Sequence, residues 1–267
     1  MRRHDRDRYQ TALFAPATRR EALFALYAFN YEIARVRETV TLPTLGQIRL
    51  QWWRENIAAA FEGGAIRRQP VVEGLSAVIR ELPLTRDHFD RLIDARETDL
   101  EYGPPANLAA LEDYAEESAS RLIYLALEAL GVRDAAAGRA GHHIGIAYSL
   151  AGLLRAIPVR GRPVIPSEIA ARHRVEQQDY PARRGIPGLR DAAEELAVAA
   201  SRHLAEARTL RAQIPHRALP AMLPAVIAQR SLTRLKRARY DPFDAAVAAA
   251  DPLQSWRLAT AVLLGRF

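Results

Sequence analysis

Apolar residues recur at three- and four-residue steps along most of the chain, which is the spacing of one face of an α-helix. The spacing predicts nine helices, over residues 19–38, 45–61, 71–82, 89–100, 108–130, 135–157, 189–214, 221–237 and 252–264. The sequence contains no segments that alternate apolar and polar residues between turns, as strands do. We therefore expect an all-α fold, arranged as a single helical domain over residues 1–267.

Glycine and proline mark the ends of several predicted helices, for example at residues 63–64 and 103–105. The segment 158–188 differs from the rest of the chain because it holds five prolines and three glycines. We expect it to be an irregular connection with at most short helices. It is the one segment whose composition indicates a hinge or a lid.

The composition narrows the classes of protein that the chain can belong to. It contains no cysteine, which excludes disulfides and thiolate metal sites. Its charged first residues lead into too few apolar residues for a secretory signal, and no apolar run approaches the roughly 18–20 residues that span a bilayer. We expect a cytoplasmic protein whose membrane contact, if it has one, is peripheral, at the inner membrane.

Positive charge in this chain is almost entirely arginine, since the formal net charge is +7 and Lys236 is the only lysine. Two interpretations stay open: a basic surface that attracts anions, or the codon usage of a genome rich in G and C. The densest arginine run, 230–239, has Tyr240 beside it but no interleaved aromatic residues. We therefore expect no nucleic-acid partner.

Three segments of the chain resemble parts of a known family. Residues 19–29 read RREALFALYAF, and they resemble the helix that leads into the first aspartate-rich motif of the squalene/phytoene synthase family. Residues 145–155 (GIAYSLAGLLR), followed by 160–166, resemble the helix and loop of the second motif, and residues 114–131 resemble a third helix of the fold. The resemblance implies an isoprenoid-synthase-like helical bundle around a central cavity.

The family's chemistry depends on its two aspartate-rich motifs. Each motif places two carboxylates four residues apart on one face of a helix. Two such helices, facing each other, bind Mg²⁺, and the metal binds a prenyl diphosphate and neutralises the diphosphate as it leaves. Metal-dependent prenyl transfer is what the resemblance implies for members that keep both motifs.

Both motifs are missing from this chain. At the first, residues 34–38 read ARVRE, so Glu38 is the only carboxylate on the face that continues from Tyr27. At the second, Arg155 is followed by Ala156, and no acidic residue occurs between Asp134 and Glu168. We expect no cofactor, and Mg²⁺ only if the chain recruits it in another way.

Two strings indicate a particular branch of the family. Residues 30–38 (NYEIARVRE) and 45–54 (LGQIRLQWWR) resemble the branch that includes mitochondrial complex I assembly factors, which are regarded as fold relatives without catalysis. The resemblance implies a non-catalytic binding or assembly factor with a membrane-complex protein as its partner. It leaves an isoprenoid or an anionic lipid as a candidate ligand. The alternative is an active prenyltransferase of the squalene/phytoene synthase type.

The predicted ligand site lies where the metal would have been. Arginine binds phosphate bidentately without a metal ion, although Arg35 could instead pair with Glu32 and Glu38. Small residues along 141–156 either leave room for an apolar ligand or permit close approach of a neighbouring helix. We expect an apolar cavity with a cationic mouth. The candidate ligand-binding residues are Tyr27, Arg35, Glu38, Tyr148, Ser149, Gly152, Arg155 and Arg160.

The predicted partner site lies on helix 45–61. Its candidate residues are Arg49, Trp52, Trp53 and Arg54, because Trp and Arg tend to dominate the energies of protein interfaces. The two tryptophans cannot face the same way on a helix, so we expect one of them in the core. The alternative is that the polar residues are the solvated side of an amphipathic helix.

The remaining charged residues predict structure rather than chemistry. Acids along 90–101 alternate with arginines, as on a salt-bridged exposed face. The acids of 112–117 begin an apolar helix, where they suit the helix dipole. His142 and His143 are adjacent in a helix, and we expect them to point to different faces and not to chelate a metal together.

Overall fold

The computed structural model describes residues 4–101, 103–160, 163–180 and 186–267. These residues form fifteen α-helices and no strand, which confirms the all-α prediction. The helices are α1 (Arg6–Ala12), α2 (Ala17–Ala34), α3 (Val36–Thr39), α4 (Pro43–Glu62), α5 (Pro70–Glu81), α6 (Arg86–Thr98), α7 (Leu108–Ala115), α8 (Arg121–Ala129), α9 (Ala135–Arg160), α10 (Ser167–Arg172), α11 (Pro187–Thr209), α12 (Leu219–Met222), α13 (Pro224–Arg237), α14 (Ala245–Ala248) and α15 (Gln254–Leu263).

Local sequence explains where several helices begin and end. The side chain of Gln69 accepts a hydrogen bond from the Val72 N–H at 2.7 Å, and Asn107 accepts one from the Ala110 N–H at 2.9 Å. These caps satisfy N–H groups that the first turns of α5 and α7 leave without helical partners. α4 ends at Gly63, whose φ of 72° lies in the left-handed region that glycine adopts without a Cβ clash.

The long helix α9 lies at the centre of the molecule. It packs against α8, α11 and α13, and against a π-helical segment, Glu116–Ser120, that joins α7 to α8. Ile144, Ala147 and Leu150 of α9 are fully buried. One connected cluster of buried apolar residues includes residues from Ala12 to Phe267, so the core is shared by elements from both ends of the chain.

Three predicted helices differ from the structure. The helix predicted over 221–237 is divided at Leu223 into α12 and α13. The helix predicted over 19–38 is interrupted at Arg35, where α2 ends and the four-residue α3 begins. Val36 then turns into the core while Glu38 is exposed, so Glu38 does not continue the face of Tyr27. The predicted helix 108–130 continues without a turn, but its middle is the π-helical segment.

Two short helices, α1 and α14, were not predicted, whereas α10 is a short helix of the kind expected in the segment 158–188. α1 is strongly charged, and its buried residues Thr11 and Ala12 give no apolar periodicity long enough to recognise. Its one local signal is Asp5, whose carboxylate caps the helix at the Arg8 N–H. In the segment 158–188, α9 continues to Arg160 and α10 follows; residues 161–162 and 181–185 lie outside the described residues.

Candidate functional site

The short helix α1 covers the C-terminal half of α9. The Arg155 guanidinium donates a hydrogen bond to the Asp7 carboxylate at 3.1 Å, and Gln254 of α15 donates to the other oxygen of Asp7 at 2.9 Å. Gln254 also donates to Gln10 of α1 at 2.8 Å. α1 is therefore held between α9 and α15, and the cation expected to bind an anionic ligand, Arg155, already has a carboxylate partner.

The arginine that follows Asp7 is directed inward from α1. The Arg8 guanidinium lies 5.0 Å from the centre of the Tyr148 ring and donates to Asp5 at 2.8 Å. Burial alone would lower the pKa of Arg8, but the Asp5 carboxylate together with Tyr148 and Tyr27 outweighs burial, and the pKa is raised. Burial raises the pKa of Tyr27 to about 12, against the opposing effect of the same guanidinium. Arg8 thus places a fixed positive charge between α2 and α9.

The other predicted ligand residues on α2 and α3 do not join this cluster. Arg35 lies 3.7 Å from the Glu32 carboxylate and 5.5 Å from the centre of the Tyr31 ring. Of the two pairings considered as the alternative, this is the one with Glu32. Glu38 is exposed on α3. Arg160 ends α9, and its side chain lies outside the described residues.

The small residues of α9 divide into two groups. A Cβ atom at Gly145 would lie 2.3 Å from the Ser120 Oγ and 2.5 Å from the Ser120 Cα, so this glycine permits contact with the π-helical segment. A Cβ atom at Gly152 would meet nothing within 4 Å. Ser149, between them, is half-buried. Close helix packing therefore accounts for Gly145, and open space adjoins Gly152.

A cleft of about 510 Å³ opens on the neighbouring side of α9. Leu153 of α9, Leu111 of α7, Ala95 of α6 and Val164 form part of its apolar wall. Its acidic lining residues are Asp94, Asp99, Glu101, Asp113 and Glu117. Among the described residues the rim of this cleft is thus mainly acidic, whereas the sequence led us to expect a cationic mouth. None of the seven predicted ligand residues with described side chains lines it.

Most of the cleft acids are bound to arginines. Asp99 accepts hydrogen bonds from Arg96 at 3.2 Å and from the Tyr114 hydroxyl at 3.0 Å. Glu117 accepts from Arg121 at 2.9 Å, and Asp94 from Arg54 at 2.5 Å. The predicted salt-bridged face along 90–101 is therefore present, and part of it forms the wall of the cleft.

Helix α4 has one face in the core and one at the surface. Trp53 is 2% exposed and packs edge-on against Phe29, with ring centres 5.4 Å apart. Trp52 is half-buried, and Arg49 is exposed. The structure thus places one tryptophan in the core and the other towards the surface.

The two arginines of α4 have different roles. Arg54 lies 2.5 Å from both Asp94 and Glu97. The hydrogen bond to Glu97 is the largest of the causes that raise its pKa. Arg54 therefore ties α4 to α6, while Arg49 donates to the exposed Thr39 hydroxyl at 3.2 Å.

The predicted surface of α4 also exposes aliphatic residues that sequence reasoning did not select. Leu45 is 48% exposed and Ile48 is 62% exposed. They lie on the same side of the helix as Arg49 and Trp52, because 45, 48, 49 and 52 follow helical spacing. We call Leu45, Ile48, Arg49 and Trp52 the α4 face.

Comparison with known proteins identifies the family of this bundle. The sequence model described as squalene/phytoene synthase matches residues 1–260. The chain belongs to this family. Two solved members share its fold: a dehydrosqualene synthase (TM-score 0.85, 19% identity, covering 98% of this chain and 92% of that one) and the squalene synthase of Alicyclobacillus acidocaldarius (TM-score 0.78, 24% identity, 90% and 91%).

Several curated relatives within the squalene/phytoene synthase family are not named as synthases. The chain is 33% identical to the human NADH dehydrogenase (ubiquinone) complex I assembly factor 6, over 96% of this chain and 80% of that protein. It is 34% identical to the Drosophila melanogaster homolog, over 99% and 82%. A presqualene diphosphate synthase of Rhodopseudomonas palustris is 28% identical over 60% of this chain and 58% of that protein.

The metal site implied by the squalene/phytoene synthase family does not fit the residues present. At the end of α2 the chain has Ala34 and Arg35, and on α9 it has Arg155 and Ala156, none of which is an oxygen donor to Mg²⁺. The neighbouring carboxylate, Asp7, is bound by Arg155. Within the described ranges, no group of three or more His, Asp or Glu residues is arranged to bind a metal ion.

One cluster was missed by the sequence analysis. His142 lies 2.7 Å from the Glu116 carboxylate, and His143 lies 2.9 Å from His203, which in turn lies 3.1 Å from Glu112. The rings of His142 and His143 are 4.9 Å apart, so the two histidines share one cluster although they have different partners. Of the acids of 112–117, Glu116 contacts His142 of α9 and Glu112 contacts His203 of α11. The second pairing depends on the approach of α11, which spacing along one helix cannot reveal.

Proposed function

We propose that this chain is a non-catalytic assembly factor for respiratory complex I, acting by binding a protein of the complex. The observation that carries the proposal is the replacement of the family's carboxylates by Ala34 and Ala156. Next to Ala156, Arg155 is bound by the chain's own Asp7. Without a carboxylate pair on either helix, nothing there could hold the metal that neutralises a leaving diphosphate.

The relatives support the same proposal. The human and fly proteins, matched over nearly the whole of this chain, are named as complex I assembly factor 6 and its homolog. The match to a presqualene diphosphate synthase covers a smaller share of the chain at lower identity. We propose on this basis that the whole chain, residues 1–267, acts as one domain of the assembly-factor type.

The α4 face is our proposed docking surface for the protein partner. It combines Leu45 and Ile48, which are largely exposed, with Trp52 and the cation of Arg49. Apolar side chains next to an aromatic ring and an arginine are the composition that interface cores favour. Arg54, one of the four predicted partner residues, supports the face indirectly by fixing α4 on α6, and Trp53 does so from the core.

The test is capture of NADH dehydrogenase subunits from solubilised membranes of the source organism. Ile48→Gln/Arg49→Ala should reduce the captured subunits about tenfold or more, the loss expected on removal of interface anchors. Val198→Gln on α11 is the matched control, because Val198 is 60% exposed and Ile48 is 62% exposed. Unchanged capture by the α4 variant, with an unchanged melting temperature, would contradict the proposed surface.

The ligand assignment is a separate part of the proposal. Tyr27, Tyr148 and Arg155 lie around α1, and Ser149 and Gly152 lie nearby on α9. An anionic lipid or isoprenoid phosphate binding there would have to displace Asp7 from Arg155. Arg155→Ala and Asp7→Asn therefore test it in opposite directions: the first should weaken binding of a polyprenyl phosphate without Mg²⁺, and the second should strengthen it. The same effect from both variants would exclude this site.

A further inference from the structure

The C-terminal helix α15 is apolar on two sides. Leu258 is fully buried and packs with Leu223 and Ile227 of the core. On the other side, Trp256 is 72% exposed and Leu263 is 84% exposed. A helix on the surface of a globular protein normally presents polar residues there.

The exposed apolar residues of α15 form one stripe. Leu253 is 52% exposed and Leu264 is 63% exposed, and with Trp256 and Leu263 they recur at steps of three, seven and one residues. At about 100° per residue, these positions fall within one third of the helix circumference. Thr260, also exposed, lies between them on the same side. We call these five residues the α15 stripe.

An arginine-rich cleft adjoins the α15 stripe. It measures about 460 Å³ and lies between the end of α11, α13 and α15, and Thr260 of the stripe forms part of its wall. The arginines that line it are Arg208, Arg230, Arg237, Arg257 and Arg266. No Asp or Glu side chain is among its lining residues in the described part of the chain. Apolar and cationic surfaces therefore meet along one edge of α15.

The positive charge of this cleft is only partly compensated. Arg230 and Arg257 share one carboxylate, Asp251, at 3.3 Å and 3.2 Å. Arg208 lies in no ion pair with an Asp or Glu of the described residues; its Nε donates to the Phe267 carbonyl oxygen at 3.2 Å. Burial, with a smaller contribution from the nearby Arg211, lowers the pKa of Arg208. The cleft is suited to anions.

We propose that the α15 stripe and the arginine-rich cleft together dock the protein on the surface of an anionic lipid bilayer. Exposed leucines and a tryptophan on a short helix enter the headgroup region, where the indole ring is favoured. The arginines beside them bind lipid phosphates, and each basic residue near such a surface adds to the attraction. The docking needs no protein partner and is separate from the function proposed for the α4 face.

The charge pattern favours an anionic bilayer over a second copy of the chain or a nucleic acid as the partner of this surface. Two copies of the chain joined through α15 would bring their arginine-rich clefts close together, and the like charges would repel. Nucleic acid would be attracted by the arginines but would leave the leucines of the stripe unburied. A bilayer with anionic headgroups would bury the α15 stripe and bind the arginines of the cleft at the same time. No helix of the described residues is both long and apolar enough to cross a membrane, so the contact is one with the surface.

The test measures cosedimentation of the whole protein with two kinds of lipid vesicle. One kind is phosphatidylcholine alone, and the other contains about 30 mol % phosphatidylglycerol, which reproduces an anionic surface. We expect binding to the anionic vesicles, with a blue shift of the tryptophan emission. Trp256→Gln/Leu263→Gln should lower the partition coefficient about tenfold or more. The matched control is Leu42→Gln/Val198→Gln, which changes two residues that are 61% and 60% exposed and belong to neither the α4 face nor the α15 stripe. It should bind as the wild type does.

A second pair of variants tests the cationic part of the surface. Arg237→Gln/Arg266→Gln removes two exposed arginines of the cleft and should weaken binding by a similar factor. The control is Arg67→Gln/Arg68→Gln, which removes two exposed arginines from the connection between α4 and α5 and should leave binding unchanged. Three results would overturn the proposal. They are equal binding to both vesicle types, wild-type binding by the stripe variant, and a wild-type dimer that the stripe variant converts to a monomer. Failure of the partner capture by α4 would leave this vesicle result unchanged.

Discussion

The contact between α9 and the π-helical segment gives a sharp test of the packing. Replacing Gly145 with Ala puts a methyl group 2.3 Å from the Ser120 Oγ and 2.5 Å from the Ser120 Cα. The side-chain oxygen could rotate away, but the Cα is backbone, so the two elements must separate. Gly152→Ala on the same helix places its methyl group in open space.

The magnitude follows from two opposing effects. Alanine in a helix interior is favoured over glycine by about 1 kcal/mol. Overpacking at a rigid contact costs about 1–3 kcal/mol, occasionally more, and the Ser120 backbone contact belongs at the upper end of that range. Gly145→Ala should therefore lower the free energy of unfolding by about 2 kcal/mol. Gly152→Ala should raise it by about 0.5–1 kcal/mol.

Urea denaturation followed by circular dichroism measures both variants against the wild type, with thermal unfolding as a second assay. In a chain of this length, about 2 kcal/mol corresponds to a shift in Tm of roughly 4–8 °C. If Gly145→Ala were as stable as the wild type, or if Gly152→Ala were destabilised as much as Gly145→Ala, the close approach of α9 to the π-helical segment would be refuted.

Three further predictions concern the charged contacts. Arg54→Met should lower Tm by a few degrees, because it removes both ion pairs to α6 at about 0.2–1 kcal/mol each, whereas Arg49→Met should leave Tm unchanged. A double-mutant cycle on Asp7→Asn and Arg155→Met should give a coupling free energy of about 0.5–1 kcal/mol. Zero coupling would contradict the ion pair that holds α1 on α9. Burial lowers the pKa of His203, so this histidine takes up a proton more readily in the unfolded chain than in the folded protein. The folded protein therefore loses stability as the pH falls through about 6.5. His203→Gln removes this contribution and should show a smaller fall in Tm between about pH 7 and 5.5.

The long helices could be predicted from the sequence because their apolar spacing is strong. The helices that periodicity missed owe their position to tertiary contacts. α1 exists because Asp7 and Gln10 meet Arg155 and Gln254, which lie far away in the sequence. No glycine or proline lies at the interruption at Arg35. The sequence therefore contains no signal that the helix ends there and that Glu38 leaves the helix face of Tyr27.

Less of the candidate sites could be predicted. The loss of the carboxylate pairs is visible in the sequence, and so is the unusual string that contains Trp52 and Trp53. That Arg155 is bound to Asp7, and that Arg54 is bound to Asp94, depends on which helices meet, and spacing along one helix cannot reveal it. Exposure of the apolar residues on α4 and α15 is likewise a property of packing.

Release of diphosphate is the measurement that tests the central claim most directly. The purified chain would be incubated with farnesyl or geranylgeranyl diphosphate and Mg²⁺, beside a protein-free control and an active squalene synthase. We predict no release above the protein-free control, because Ala34 and Ala156 stand where metal-binding aspartates would be needed. Saturable, Mg²⁺-dependent release that Ala156→Arg abolishes would contradict the account and make this chain an active prenyltransferase.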